Sequence, residues 1–133
     1  MSEEYPEVAY YQGMNYIAGY LYYTFEDEEL AYKFLCFIVE EYVSEFLGDG
    51  LDGVLKLTYV LDKCIETTDG FMWYKLAESD VKSVHFTVSI FLTLFTTYIT
   101  DKSLYPVVDR IWDIFITDGY RAIIGLCLFL IQI

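Results

Sequence analysis

Residues 10–15, Tyr-Tyr-Gln-Gly-Met-Asn, set two carboxamides, Gln12 and Asn15, around a glycine where an apolar segment begins. A carboxamide donates through its NH₂ and accepts through its oxygen, so one side chain can serve a polar partner in both senses without carrying charge. On residue types alone, Gln12 reads as a surface glutamine near a helix start. Why a glutamine should stand there beside a glycine depends on the elements around it.

Other chemistry is sparse. His85 is the single histidine, so neither a His-based metal cluster nor a Ser-His-Asp triad can be assembled, and it reads as structural. Cys36, Cys64 and Cys127 are odd in number, far apart and set among apolar residues; they read as buried thiols in a reducing compartment. The acid pairs Glu40 with Glu41 and Asp109 with Asp113 read as solvated helix faces. Arg110 and Asp113 are i, i+3 neighbours beside Trp112, which reads as a structural ion pair locking a helix against its neighbours. "GDGLDG" lacks the lysine and the strand-to-helix setting of a phosphate loop.

Composition narrows the class further. The 133 residues make one domain, able to bury about two-thirds of the surface exposed by the unfolded chain. Twenty-one acidic against eight basic residues give a net charge of −13, which opposes nucleic acid and anionic lipid and suits a partner with a basic or mixed surface. Hydrophobic residues reach 56%. Even so, residues 86–100 are interrupted by Thr and Ser, and residues 122–133 fall short of the roughly 20 apolar residues of a spanning helix. No signal peptide is visible, since the N-terminus is acidic.

Periodicity supplies the elements that must position Gln12. Met14, Ile17, Ala18, Leu21 and Phe25 form one helical stripe and predict a helix over residues 12–24, with Gln12 on nearly the opposite side, near Asn15, Gly19 and Tyr23. Asp27 as cap, with Glu28 and Glu29 in the first turn, starts a second helix that Gly48 to Gly50 ends; a patch for a basic partner is the sharper reading of those acids. Residues 30–39 are apolar on nearly every side, which predicts burial on most faces.

Val54, Leu57, Leu61 and Ile65 mark a helix over residues 51–66, and a short one is expected over 71–77. Residues 81–100 suit strand by composition and helix by length. Helix is preferred because no strand partner is evident. Ser103 is expected to cap a helix with Pro106 in its first turn and Asp118-Gly119 at its end, before an apolar helix over 120–133. The sum is a compact all-α unit of about six to seven helices.

Two motifs resemble a known family. Tyr10-Tyr11-Gln12-Gly13-Met14 is similar to the Tyr-x-Gln-Gly-Met signature of the TBC (Rab GTPase-activating) domain family. "FLTLFTTYIT" followed by "VVDRIWDIFITDG", with Arg110-Ile111-Trp112-Asp113, resembles the family's Arg-x-Trp-Asp region. The acidic helix start "DEELAYKFL" lies between them. Ser89-Ile90 stands where the family usually has a tryptophan.

The resemblance implies an all-α Rab GTPase-activating fold acting in vesicle trafficking. Its partner would be a Rab-type small GTPase, alone or in a larger protein assembly. The chain would need no cofactor of its own, because GTP and Mg belong to the partner. It would be cytoplasmic, peripheral to endomembranes through that partner, without a transmembrane span. Such a domain supplies an arginine that neutralises charge and a glutamine that positions the attacking water. By resemblance Gln12 is the glutamine finger, Gly13 lets the partner's backbone come close, Tyr10 and Asn15 hold the loop, and Arg110, Trp112 and Asp113 are structural.

The family's arginine finger lies upstream of the glutamine motif, and only nine residues precede Tyr10 here. Residues 1–133 are therefore expected to be a C-terminal portion of the domain, a weak activator or none by itself, since losing the arginine costs about 10³ or more in rate. Two other readings stay open: a catalytically silent TBC-like scaffolding subunit, and an all-α membrane-associated subunit.

Overall fold

The structure, a computed structural model, describes residues 10–44 and 51–132. These form seven α-helices and no strand: α1 (Met14–Phe25), α2 (Glu28–Ile38), α3 (Asp52–Thr68), α4 (Gly70–Glu78), α5 (Val84–Thr93), α6 (Tyr105–Asp118) and α7 (Tyr120–Gln132). The all-α expectation holds. Among these residues no helix is long and apolar enough to cross a membrane.

The core follows the apolar stripes. Ile17 and Leu21 of α1, Leu35 and Ile38 of α2, Leu61 and Ile65 of α3, Phe115 of α6 and Ile123 of α7 are buried together. Full burial contributes roughly 1.5–3 kcal/mol per side chain of this size. α1 packs on α2, α5 and the 3₁₀ turn Thr96–Tyr98, while α3 bridges α4, α5 and α7. Gln12's neighbourhood thus rests on α5 and the turn that follows it.

Several expectations are corrected in detail. α2 is not buried on most faces: Ala31, Leu35 and Ile38 face inward at i, i+4 and i+7, whereas Leu30, Tyr32 and Phe37 are exposed. An apolar composition does not compel burial when only one side meets α1. After Ile38 the helix widens into a π turn, Val39–Val43, which keeps Val39 and Val43 buried and Glu40 and Glu41 exposed. The stop at Gly48 to Gly50 lies outside the described residues.

Residues 81–100 are α-helical only from Val84 to Thr93, with a 3₁₀ turn at Thr96–Tyr98. Between the two the chain takes positive φ at two successive non-glycine residues, Leu94 (50°) and Phe95 (69°). Ser103 does not cap α6, which starts after Leu104 without a side-chain cap; the 3₁₀ turn leading into it, Lys102–Leu104, is capped by Asp101. The Asp101 carboxylate accepts from the Ser103 backbone N–H at 2.7 Å, and Ser103's backbone and hydroxyl hold it below the usual carboxylate range. Gly119, at φ 63°, ends α6 as the sequence predicts.

Candidate functional site

Gln12 sits in a turn that its neighbours close. The Tyr11 carbonyl accepts from the Met14 N–H at 3.2 Å, bracketing Gln12 and Gly13. Gly13 has φ 111° and ψ −20°, the positive-φ corner that a type II turn requires at its third residue. A side chain there would be strained on backbone grounds alone. It would also be blocked, because a Cβ on Gly13 would lie 2.8 Å from the Thr93 methyl carbon Cγ2. Gly13 is buried and Gln12 is exposed, so the turn is pressed onto the protein at the glycine and presents the glutamine outward. The helical wheel placed Gln12 on α1; it stands one residue outside the cap, and its outward aim comes from the turn.

Tyr10 and Asn15 flank it, both exposed, and the Tyr10 hydroxyl donates to Asn15 Oδ1 at 3.4 Å. That long contact spans the turn on its solvent side. On the inner side the Tyr11 hydroxyl donates to the Leu92 carbonyl at 3.1 Å, and burial pushes its phenol well above the ordinary tyrosine range. Tyr11 therefore works as a neutral donor.

The seat under this turn is the C-terminal end of α5. A helix leaves its last carbonyls without intrahelical partners. Here side chains from elsewhere take them: Tyr11 takes Leu92, the Thr96 hydroxyl takes Thr93 at 2.6 Å, and Trp112 Nε1–H takes Leu94 at 3.0 Å. Thr93 Oγ1 donates back to the Ser89 carbonyl at 2.7 Å and pairs with Thr97 at 3.0 Å, which turns its methyl toward Gly13. The left-handed Leu94 and Phe95 cost about 1–2 kcal/mol each, and the bonds around them hold that conformation.

Trp112 is buried in α6 and packs on Tyr20 of α1, ring centroids 5.0 Å apart. The Tyr20 hydroxyl donates to Asp109 at 2.6 Å, so Asp109 is not merely a solvated face. Burial first, then the bond to Asp109, raises the Tyr20 phenol. Arg110 and Asp113 do pair, but at 3.8 Å with both side chains exposed on α6. This pair locks nothing against a neighbour; Trp112 does that. Arg121 is exposed at the start of α7.

Of the cysteines, Cys36 and Cys127 are buried while Cys64 is half-buried, and all three are free thiols. His85 is exposed, and its Nδ1 accepts from the Lys82 N–H at 3.2 Å, a local structural contact. Sequence reasoning missed Thr93 and Tyr11 as the seat of the turn. Tyr11 is the variable position of its motif, and Thr93 lay in a segment read only as helix.

The family described as "Rab-GTPase-TBC domain" matches residues 1–133. The chain is similar to TBC1 domain family member 13 of Mus musculus, 34% identical over 129 residues, covering 87% of this chain and 31% of that protein. It is also similar to two fungal GTPase-activating proteins. GYP5 of Saccharomyces cerevisiae is 27% identical over 90% of this chain and 13% of its own length. For gyp10 of Schizosaccharomyces pombe the figures are 28%, 94% and 32%. The chain thus spans a third or less of the length of these curated relatives. No solved structure matches it.

Proposed function

This chain belongs to the Rab-GTPase-TBC domain family, and on that premise we propose that it engages a Rab-type small GTPase and supplies Gln12 to the partner's nucleotide site. One observation carries the reading: Gln12 is the exposed residue of a turn whose next residue is a buried glycine at φ 111°. Its carboxamide oxygen accepts from the attacking water while its NH₂ donates to the GTPase. Holding that water in line lowers the entropic part of the barrier. GTP and Mg come with the partner.

Charge on the transferring phosphoryl group is neutralised by an arginine from outside these 133 residues. Arg110 pairs with Asp113 on α6, and Arg121 belongs to α7; neither adjoins Gln12 in sequence. On this reading the 133 residues are one portion of a larger catalytic unit and stimulate weakly or not at all by themselves. Cytoplasmic action, at endomembranes through the GTPase, follows from the same proposal.

The test is GTP hydrolysis by a panel of Rab-type GTPases with the full-length protein and its Gln12→Ala variant. Stimulation of the cognate GTPase is expected to fall about 10²–10³-fold, the usual cost of one preorganised polar group. Equal stimulation by the two proteins removes Gln12 from the mechanism. Binding of GDP and GTP forms alike, without stimulation, favours a scaffold.

A further inference from the structure

We propose that Trp112 and Thr93 form a positioning relay for Gln12, by which α6 sets the angle at which the carboxamide is presented. The proposal rests on Gln12 being the finger. Its structural part starts from Trp112, a buried side chain whose one polar atom, Nε1, donates to the Leu94 carbonyl at 3.0 Å. Leu94 is where α5 stops and the backbone turns left-handed, so this bond fixes the place and direction of the reversal.

Thr93 immediately precedes it. With its hydroxyl committed to the Ser89 carbonyl and Thr97, Thr93 turns its methyl against Gly13. Only a residue without a side chain tolerates that approach, so the Thr93 methyl is the floor of the turn. The Tyr11 hydroxyl, on the Leu92 carbonyl, pins the same segment from the N-terminal side. Three consecutive residues, Leu92, Thr93 and Leu94, thus join the helix of one motif to the turn of the other. A shift of the floor moves Gln12 directly, and a misplacement of about 1 Å can cost a hundredfold in rate.

The test uses the full-length protein and single-turnover GTP hydrolysis. Trp112→Phe keeps an aromatic ring on Tyr20 and removes the N–H; Thr93→Ser keeps the hydroxyl and removes the methyl. Each is expected to lower the maximal rate about tenfold or more, with the GTPase concentration at half-maximal rate unchanged. Either change combined with Gln12→Ala is expected to cost nothing beyond Gln12→Ala alone, because the relay acts through that side chain. Losses that multiply overturn the relay.

A readout independent of activity is amide exchange at Met14, whose N–H is bonded to the Tyr11 carbonyl. It is expected to quicken about tenfold in both variants, with Leu61 of α3 unchanged. Unchanged Met14 exchange overturns the relay. If Trp112→Phe fails to fold, Thr93→Ser decides. Full activity in Gln12→Ala would overturn the finger itself, while the exchange result still judges the seat.

Discussion

The starts of α1 and α2 are two solutions to one problem, and they differ at every point. At α2 the support is local: Asp27 accepts from the Leu30 N–H at 2.9 Å, Glu28 and Glu29 meet the helix dipole, and Lys33 pairs with Glu29 at 2.6 Å. At α1 there is no side-chain cap and no acid in the first turn, and the cap residue is a glycine at positive φ. Its support comes from far along the chain, through Tyr11 on Leu92 and Thr93 beneath Gly13. A helix start built for stability takes its charges from its own sequence. One that presents a neutral amide outward is closed by its own backbone, the Tyr11 and Gly13 carbonyls accepting from the Met14 and Tyr16 N–H groups, and is seated by residues far along the chain.

Gly13→Ala strikes this contrast hardest. The added methyl meets Thr93 and the backbone loses its permitted conformation, so stability is expected to fall by about 2 kcal/mol or more and stimulation to collapse. Chemical denaturation reads the first effect and GTP hydrolysis the second. Thr93→Ser in the same background should return part of the stability by vacating the space, while the strain in φ remains.

Asp27→Ala is the counterpart at α2. It is expected to cost about 1 kcal/mol in denaturation while leaving the rate of GTP hydrolysis untouched. A loss of rate there would erase the distinction between the two starts. Arg110→Ala should change stability by less than about 0.5 kcal/mol, because its ion pair is exposed. Smallest of all is a difference in labelling. Burial pushes the Cys127 thiol up to about 11, so at pH 8 it stays neutral and should be alkylated more slowly than the half-buried Cys64, as peptide mass mapping would read.

Legibility in the sequence tracked the range of the interactions. Asp27, Glu28 and Glu29 announced α2, and Gly119 the end of α6, because caps act within one turn of chain. The stripe from Met14 to Leu21 announced α1 for the same reason. The two left-handed residues after α5 were invisible, since Leu94 and Phe95 are not turn formers and their conformation is held by Trp112, 18 residues beyond Leu94. Thr93 was hidden likewise, for its role exists only where it meets Gly13. Gln12 and Trp112 were visible through their motifs, but what joins them was not. Arg110, the most conspicuous charge of its motif, lies on the exposed face.

The central claim is that Gln12 acts on the transition state of a partner GTPase, and one affinity difference tests it most directly. A GTPase loaded with GDP and aluminium fluoride mimics the transferring phosphoryl group, and a group that serves the transition state should favour that form. The full-length protein is expected to bind it more tightly than the GDP form, and Gln12→Ala to lose most of that preference while binding the GDP form equally well. The same preference in both proteins would contradict the account.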